Sequence, residues 1–445
     1  MNSPLAGVDS PDHAAAIHPS NSVTPQRPGW VATITGADDL TRAVAEVNAL
    51  AQSTGAALQV VPQATGHGAG APVGDTDVLL DTSRLTDVVI DPAARTATVG
   101  AGATWSAINA AAERHGLLGL AGSAPTVSVC GYTFGGGIGW LVRRDGLASG
   151  SLRAVHYVDG DGRLRTATDD APAQIDRDAL WAFRGAGGVG IAHTLEFDLF
   201  PAPDLHAGAL LWHVEALPDL LAAWSGIVDT LSGSVSHSIS VLHVPPLPLF
   251  PPALHGRVAV HLAIADPDGP GAAGPLLHAM RSAATPVSDT WGPSDAARLA
   301  SIHLDPPVAT PAVGDARWLG ASTPDVAAAL LSTAAGPDSP LVLLEIRHTA
   351  GAPTRRSGAL VSPPGDFIYH AVGTLDRSTH AQIQDGFAAA QDVWRPVDTG
   401  YTPGSWIDGA AGVPGALPTG TRRRAAAIAD AVDPAGRIRR SRLLG

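Results

Sequence analysis

One histidine lies inside a glycine-rich loop in the first part of the sequence. Residues 57–61 form a short apolar run that predicts a buried strand, and the stretch "ATGHGAG" that follows places His67 between glycines. Glycines at this spacing let a ligand approach the backbone, and successive N–H groups in tight turns bind an anion. We therefore predict a ligand-binding turn with an imidazole at its centre.

Two further glycine clusters, "PTVSVCGYTFGGGIGW" and "RGAGGVG", lie in the same half of the chain. The first and the last of the three clusters superficially resemble dinucleotide fingerprints, but a Rossmann turn must lead into a helix. Pro72 follows the first cluster and the strand-like run "TLEFDLF" follows the last, so the Rossmann interpretation fails. Each cluster alone predicts a tight packing corner, whereas three together favour an extended ligand that carries phosphate groups.

Composition excludes several other kinds of chemistry. All 28 basic side chains are arginine, as is typical of a GC-rich bacterial genome, which excludes Schiff-base, pyridoxal-phosphate and P-loop lysines. Cys130 is the single cysteine, which excludes an intramolecular disulfide and multi-cysteine metal centres. His255, His261 and His303 lack metal-ligand spacing, so we expect no metal and interpret them as surface or satisfied core histidines.

Charge and hydropathy limit the partners. The net charge of −13 argues against nucleic acid and anionic membranes, and the arginine-rich tail "RRRAAAIADAVDPAGRIRRSR" predicts a solvated helix face. Residues 1–26 lack the features of a secretory signal, and no run is long and apolar enough to cross a bilayer. We therefore expect a soluble cytoplasmic protein.

The order of predicted elements indicates an α+β fold. A helix capped by Thr35 and Asp38 and stopped by Gly55 is followed by short strands, a second capped helix at "TWSAINAAAERHG" and a hairpin over 152–168. Beyond residue 205, proline-rich loops separate longer apolar runs. We predict a loose N-terminal arm and three further segments, with the bounds 1–26, 27–203, 204–395 and 396–445.

The motifs together resemble a known family. The run from "LLDTSRLTDVVIDPAARTATVGAGATW" through "GYTFGGGIGWLVRRDGLAS" to "RGAGGVGIAHTLEFDLFP" resembles the FAD domain of the berberine-bridge-enzyme-like oxidases, within the vanillyl-alcohol-oxidase superfamily. The resemblance resumes at "AAAIADAVDPAGRIR". It implies a split PCMH-type FAD-binding domain of two α+β subdomains, a substrate domain with a large antiparallel sheet backed by helices, and a C-terminal return to the FAD domain.

The resemblance implies FAD, bonded covalently through its 8α-methyl group to His67. Such a link retains the cofactor and raises its potential; the alternative is a capping or core histidine. Relatives carry an arginine where Gln63 stands, and many add a second bond from a cysteine at the place of Ala124. Because Cys130 lies six positions further on, we expect no 6-S-cysteinyl bond and interpret Cys130 as a small packing residue. The residues implied to contact FAD are Gln63, Ala64, Thr65, Gly66, His67, Gly68, Pro125, Thr126, Val127, Cys130, Gly131, Tyr132, Gly135, Gly136, Gly190 and Ile191.

Catalytic groups are expected on an apolar strand that faces the flavin. In "SPLVLLEIRHTAGAP", strand alternation places Glu345 and Arg347 on one face. A glutamate in such a run is functional or paired. Relatives often carry an acid here, so Glu345 is interpreted as a base or orienting carboxylate, with an ion pair to Arg347 at a sheet edge as the alternative. Tyr132 and Tyr401 are further candidates, and a packing role is the alternative for Tyr132.

The resemblance implies an FAD-dependent oxidase of a small organic molecule, of the kind found in specialised metabolism. Hydride would pass from a carbon bearing oxygen or nitrogen to flavin N5, and O₂ would reoxidise the flavin to give H₂O₂. A dehydrogenase with another acceptor is one alternative. A flavin-retaining scaffold that cyclises a polyketide-like molecule without net redox is the other. The apolar composition of residues 205–395 favours an apolar substrate pocket.

Overall fold

The structure is a computed structural model that describes residues 5–8, 10–68, 70–305, 308–409 and 412–444. Its first half contains eleven strands and six helices within these residues. The strands are β1 Ala6–Gly7, β2 Trp30–Thr33, β3 Gln59–Gln63, β4 Asp77–Asp81, β5 Val88–Asp91, β6 Thr96–Gly100, β7 Leu117–Leu118, β8 Leu152–Val158, β9 Leu164–Thr168, β10 Ile191–Asp198 and β11 Phe200–Pro201. The helices are α1 Pro11–Ala16, α2 Ala37–Thr54, α3 Trp105–Glu113, α4 Val129–Phe134, α5 Val142–Asp145 and α6 Gln174–Phe183.

These strands form two main sheets that belong to two α+β units. The first sheet has the order β1-β2-β4-β3, in which β2 and β3 both run parallel to β4. The second sheet has the order β5-β6-β10-β8-β9 and is antiparallel throughout. The predicted hairpin is confirmed as β8 and β9. The three glycine clusters contact one another: the N–H of Ser128 donates to the hydroxyl of Thr65, and the N–H of Gly187 donates to the carbonyl of Phe134.

Helix α2 shows how the local pattern sets an element. Its apolar residues recur at helical spacing, and Leu40, Val44 and Val47 are fully buried. Gly55 ends the helix in the left-handed conformation, at φ 69°, as predicted. The predicted Thr35–Asp38 capping box is wrong in register: Gly36 is the N-cap, and Thr35 instead bonds to the carboxylate of Asp39.

The N-terminal segment is packed where a loose arm was expected. Ser10 caps α1 through a 3.1 Å bond from the N–H of His13, and the buried imidazole of His13 lies 2.9 Å from the carbonyl of Pro28. Ala16 packs with Val31 and Leu79 of the first sheet. This small apolar contact orders a segment whose own sequence has no strong helical pattern.

The second half is built around one large antiparallel sheet. Its strands are β12 His206–His213, β13 Ser236–His243, β14 Val258–Asp266, β15 Ser288–Asp289, β16 Gly292–Pro293, β17 Ala312–Leu319, β18 Leu341–His348 and β19 Phe367–Thr374. The strand order is β15-β12-β14-β13-β18-β19-β17, and β16 pairs with β12. The helices are α7 Leu217–Ser225, α8 Gly274–Ala283, α9 Ala296–Leu299, α10 Thr323–Ser332, α11 His380–Trp394 and α12 Thr419–Val432.

The two faces of this sheet bury different things. Side chains such as Ile239, Val260 and Leu344 face α7, α8, α10 and α11 and form one apolar core. The opposite face turns toward the first half of the chain, where Trp318 and Ile368 pack against residues that follow the triple glycine. The expected α+β fold, with a large antiparallel sheet backed by helices, is confirmed.

The chain finally returns to the first half. Arg424 on α12 pairs with Asp178 on α6 and stacks over the ring of Trp181 at 3.9 Å. Beyond α12, the N–H of Val60 donates to the carbonyl of Arg437 at 2.7 Å, so the C-terminal segment lies against β3. Within the described residues, no helix combines the length and the apolar character needed to cross a membrane.

The helix-facing core should dominate the stability of the large sheet. Val260 is fully buried, whereas Val89 on β5 is 63% exposed. We expect Val260→Ala to lower the free energy of unfolding by about 2 kcal/mol, because it removes buried apolar atoms and leaves a cavity. The matched Val89→Ala variant should stay within about 0.5 kcal/mol of the parent in urea unfolding. Equal effects of the two substitutions would contradict this assignment of the core.

Candidate active site

The first glycine loop is fixed by the N-terminal segment. Gly66 adopts φ 66°, and a Cβ atom there would lie 2.5 Å from the side chain of Pro19. The carbonyls of Thr65 and Gly66 accept bonds from the N–H groups of Ser20 and Asn21, at 2.9 and 3.2 Å. The N–H groups of residues 65–68 meet no acceptor within the described part of the chain. They are therefore available to an anionic ligand.

His67 joins this loop to the second glycine cluster. Its Nε2 atom lies 2.9 Å from the hydroxyl of Thr126, and the N–H of Ser128 donates to the hydroxyl of Thr65 at 3.4 Å. Burial lowers the pKa of His67, and the carboxylate of Asp305 opposes this shift only in part. A neutral imidazole retains a nitrogen lone pair, which is what a nucleophilic role requires.

Tyr132 fills the space that the surrounding glycines leave open. Its ring makes an edge contact with Trp105 at 5.7 Å, and a Cβ atom on Gly137 would lie 2.7 Å from it. Cys130, two residues earlier on α4, is half-buried, and burial raises its pKa to about 12. The thiol is therefore protonated at neutral pH, which suits a packing residue better than a nucleophile.

The third glycine cluster meets the C-terminal segment. Gly185 and Gly187 have φ values of 107° and 87°, and a side chain at Gly187 would overlap Ser441. A cavity of about 440 Å³ lies between the first and third glycine loops and this segment, and the residues lining it are Gln59, Ala71, Gly188, Val189, Ala429, Asp430, Asp433, Gly436, Ile438, Arg439 and Arg440. Gly190 follows the cavity-lining Val189, and β10 begins at the next residue, Ile191.

Two arginines of the C-terminal segment approach the first loop. The guanidinium of Arg439 pairs with Asp77 at 2.5 Å and donates to the carbonyl of Pro72 at 3.0 Å. A terminal nitrogen of Arg442 lies 3.7 Å from the position of a Cβ atom on Gly68. Sequence reasoning missed both, because it treated the whole tail as a helix face, whereas α12 ends at Val432.

The residues present fit an FAD molecule. The loop of residues 65–68 offers unengaged N–H groups to a diphosphate, and the guanidinium of Arg442 lies beside it. The cavity extends from Ala71, just beyond this loop, to Gly188 and Val189, and the imidazole of His67 lies at the junction of the first two loops. Within the described residues, no group of three or more histidine, cysteine, aspartate or glutamate side chains is placed to hold a metal ion.

Glu345 lies at the centre of the large sheet and not at its edge. Strand β18 pairs with β13 on one side and β19 on the other, and Glu345 is fully buried. On the face turned toward the glycine loops, cross-strand pairing aligns Glu345 with Ser240, His261 and His370 in one polar row. The ion pair with Arg347 exists, but at the middle of the sheet, because β18 is an interior strand.

Three side chains hold the carboxylate of Glu345. The Nε2 atom of His303 lies 3.1 Å away, Arg347 approaches at 3.3 Å, and Nδ1 of His370 lies at 3.6 Å. His303 also pairs with Asp305 at 2.7 Å through its other ring nitrogen. Since histidine donates from both nitrogens only when protonated, this geometry fits an imidazolium between two carboxylates.

The pKa shifts agree with this charge distribution. Burial alone would raise the pKa of Glu345, but the charges of Arg347 and His303 outweigh it and hold the pKa well below its usual range. Burial would lower the pKa of His303, yet Asp305 and Glu345 raise it to about 10. Burial would raise the pKa of Asp305, but the charge of His303 and its hydrogen bond lower it to about 2. All three groups are therefore ionised at neutral pH.

His303, interpreted from the sequence as a surface or satisfied core histidine, is buried, and both its ring nitrogens are bonded. Its partners are the carboxylates of Asp305 and Glu345, so it belongs to an ion cluster that the sequence did not indicate. His261 does satisfy its own bonds, with Ser240 at 3.1 Å and the carbonyl of Ile302 at 3.0 Å. His255 bonds to carbonyls within its own proline-rich loop.

Tyr401 lies to one side of the ion cluster. Its carbonyl accepts a 2.9 Å bond from the N–H of Trp318, and its ring belongs to an apolar group with Ile368. The aromatic residue of this segment that approaches the cluster is Trp406, which lies 4.8 Å from the ring of His370. Its only sequence signal was the aromatic content of "YTPGSWIDG", which does not distinguish the two.

Comparison with known proteins agrees with this architecture. Residues 38–168 match a family model described as an FAD binding domain. The chain is 27% identical over 215 residues to (R)-6-hydroxynicotine oxidase of Paenarthrobacter nicotinovorans, covering 48% of this chain and 44% of that protein. It is 38% identical over 141 residues to berberine bridge enzyme-like D-2 of Nicotiana tabacum, covering 29% and 23%. The matches thus span less than half of these relatives' length.

Solved structures share the fold over nearly the whole chain. The 6-hydroxy-D-nicotine oxidase of Arthrobacter nicotinovorans superimposes with a TM-score of 0.82 at 19% identity, covering 100% of this chain and 98% of its own. BBE-like 1 of Physcomitrella patens superimposes with a TM-score of 0.80 at 17% identity, covering 99% of this chain and 97% of its own. A chitooligosaccharide oxidase superimposes with a TM-score of 0.77 at 15% identity, covering 97% of this chain and 95% of its own.

The match of residues 38–168 identifies an FAD-binding domain, and the relatives that the chain resembles are named as oxidases and FAD-linked oxidoreductases. The fold of the chain is that of the solved berberine-bridge-enzyme-like structures, and the resemblance noted in the sequence is confirmed.

The charge on His303 predicts a specific pH dependence of stability. Its pKa in the folded chain, about 10, exceeds the ordinary value of 6.5, so its stabilisation is complete below pH 6.5 and is lost as pH rises through 10. The difference in unfolding free energy between the parent and His303→Gln should therefore shrink from pH 6.5 to 10 in denaturant titrations.

His261→Gln is the matched control for this measurement. Burial lowers the pKa of His261 to about 4, so this imidazole is neutral throughout the same range. The difference between the parent and His261→Gln should stay constant from pH 6.5 to 10. A constant difference for His303→Gln as well would show that His303 is not an imidazolium in the folded protein.

Proposed function

We propose that the chain is an FAD-dependent oxidase of a small organic substrate. The substrate would lose a hydride from a carbon that bears oxygen or nitrogen, and O₂ would serve as the electron acceptor. One observation carries the proposal: Asp305 acts electrostatically on His67 and also bonds to His303, which holds Glu345. Asp305 thus links the proposed flavin attachment point to the buried carboxylate, which supports a shared site although the two lie far apart in the sequence.

In this proposal the glycine loops hold FAD. The N–H groups of residues 65–68 and the guanidinium of Arg442 would receive the diphosphate, and His67 would carry the single covalent bond to the 8α carbon. Gln63 contributes no charge, and its amide bonds to that of Gln26. Bound FAD supplies the hydride acceptor, and the chain supplies binding, orientation and charge.

Glu345 is the proposed orienting carboxylate and proton acceptor. It is ionised because His303 and Arg347 offset its burial, so it can accept a hydrogen bond from a substrate O–H or N–H. Its low pKa means that it takes the proton only as the hydride leaves and the substrate heteroatom becomes acidic. Tyr132 and Tyr401 then line the site, and burial raises the pKa of Tyr132, which keeps its hydroxyl a donor.

The surroundings of the polar row favour a largely apolar substrate with one hydrogen-bond donor. Leu211 and Ala259, on the same face as the row, pack with Phe250 and Leu254 of the proline-rich loop. The four charges of Glu345, Asp305, His303 and Arg347 sum to zero, so the site does not require a charged substrate. A specialised metabolite carrying an alcohol or amine fits these conditions.

The covalent bond is directly testable. We expect the yellow colour to remain with the acid-precipitated polypeptide and the tryptic peptide containing His67 to carry the mass of FAD. His67→Ala should release all the flavin on precipitation. His255→Ala, a histidine in a loop of the other half, should keep it. Colour that leaves the parent protein in acid would contradict the covalent assignment.

Glu345 should control flavin reduction. We expect Glu345→Gln to slow anaerobic bleaching of the flavin by about 10²- to 10⁴-fold, the usual effect of losing a general base. Stopped-flow absorbance would be followed with a panel of a nicotine-type amine, a benzylic alcohol and an oligosaccharide. Ser240→Ala, in the same polar row, is the matched control, since its hydroxyl bonds to His261 and not to Glu345.

The same panel separates the alternatives. Bleaching that air reverses with release of H₂O₂ supports an oxidase, whereas bleaching that only an added acceptor reverses indicates a dehydrogenase. Conversion of a substrate without any bleaching would indicate a cyclase that uses the bound flavin as a scaffold. Unchanged bleaching in Glu345→Gln would remove the carboxylate from the chemistry.

A further inference from the structure

Arg347 carries hydrogen-bond donors that have no acceptor. Its side chain is buried, with 1% of the residue exposed, and one terminal nitrogen reaches Glu345 at 3.3 Å. The Nε atom and the other terminal nitrogen have no hydrogen-bond partner within the described residues. Buried donors are almost always paired, and an unpaired donor on a charged group is especially unfavourable. The arginine therefore calls for an acceptor that the polypeptide itself does not provide.

Two tryptophans fix the plane of this guanidinium. Its central carbon lies 4.2 Å from the ring centroid of Trp140 and 4.6 Å from that of Trp406. Such cation–π contacts hold the cation in place without using its N–H groups. The unpaired N–H groups are thus presented at a defined position at the junction of the large sheet and the glycine-rich half.

The residues beside Arg347 are also donors without acceptors. The indole N–H of Trp140 and the hydroxyl of Tyr132 are buried and have no partner within the described residues. A Cβ atom on Gly139, the residue before Trp140, would lie 3.1 Å from the hydroxyl of Tyr132, so the phenol lies beside Trp140 and hence near Arg347. Arginine and indole can only donate, and a neutral phenol donates readily. We refer to Arg347, Trp140 and Tyr132 as the donor cluster.

We propose that the donor cluster binds the acceptor-rich edge of the isoalloxazine ring, and that the charge of Arg347 raises the affinity of that ring for electrons. This inference rests on the proposed function, because it requires bound FAD. The ring of a flavin carries carbonyl oxygens and an unprotonated nitrogen along one edge, and nearby positive charge is a known means of tuning its electronics. A flat carboxylate or carbonyl group of the substrate offers the same chemistry and is the competing source of acceptors.

Sulfite binding to the FAD-loaded protein tests the proposal without a substrate. Sulfite adds to the flavin and leaves negative charge on the ring, so its dissociation constant reports the positive charge beside it. We expect Arg347→Met to weaken sulfite binding about tenfold or more and to lower the two-electron potential by about 30 mV per tenfold. Glu345→Gln should strengthen sulfite binding and raise the potential, because it removes the negative charge that offsets Arg347.

Arg317→Met is the matched control. Arg317 lies on β17, in the same sheet, and stacks over Trp394 at 5.4 Å, but its guanidinium pairs with Thr402 and Asp398. The Arg317→Met variant should bind sulfite with the same dissociation constant as the parent protein. Should Arg347→Met fail to fold, Arg347→Lys and Tyr132→Phe replace it. Lysine keeps the charge but lacks the fork of donors, so its sulfite affinity should be intermediate, and the phenylalanine variant should weaken sulfite binding about twofold.

Three results would overturn the proposal, each in a different way. An unchanged dissociation constant for sulfite and an unchanged flavin potential in Arg347→Met would contradict the proposal. If the same variant also lost the binding of benzoate, a flat carboxylate that stands in for a substrate, the donor cluster would be assigned to the substrate. Equal effects of Arg347→Met and Arg317→Met would show a general charge effect. A parent protein that binds no FAD would reject the proposed function together with this inference, and absorbance of the purified protein distinguishes that case at once.

Discussion

A buried carboxylate in the middle of an apolar sheet must be neutralised, and the arrangement of this site follows from that requirement. Glu345 and Arg347 are both almost completely withdrawn from water. An ion pair of this kind costs several kcal/mol per charge in lost hydration, which only close partners can offset. His303 and Asp305 complete the balance, so that two anions and two cations form one neutral group. Each member depends on the others to remain ionised.

The period of a β-strand places this group where it can act. Successive side chains of β18 point to opposite faces, so Leu344 and Ile346 join the helix-facing core while Glu345 and Arg347 face the glycine loops. Glycines on the other side of the site allow large side chains to fill the space beside the backbone, as Tyr132 does next to Gly137. The ion pair of Glu345 and Arg347 and the tightly packed glycine loops therefore lie at the same boundary between the two halves of the chain.

Local sequence patterns were sufficient to predict individual helices and strands, but they were insufficient to predict which strands pair in the sheet. The apolar stripe of α2, the cap of α3 at Thr104 and the β8–β9 hairpin depend on residues within a few positions of one another, and the sequence displays them. The alternation of β18 likewise predicted that Glu345 and Arg347 share a face. The position of β18 inside the sheet depends on pairing with β13 and β19, which no local pattern records.

What the sequence did not indicate has the same physical origin. The bonding partners of His303 were not predicted, because its two carboxylate partners lie 2 and 42 residues away, and only the folded chain brings the second one close. The N-terminal segment was expected to be loose because the contacts that order it come from β2, β4 and the loop at Thr65. The arginines beyond α12 were assigned to a helix face, since nothing in their spacing shows that the chain doubles back to β3.

The contacts around the first glycine loop determine when this part of the molecule can be completed. Ser20 and Asn21 bond to it from one side, and the segment from Arg437 to Leu443 covers it from another. Because that segment follows the large sheet in the sequence, it is synthesised after the other elements that surround the loop. A cofactor threaded beneath these residues would therefore be enclosed late in folding.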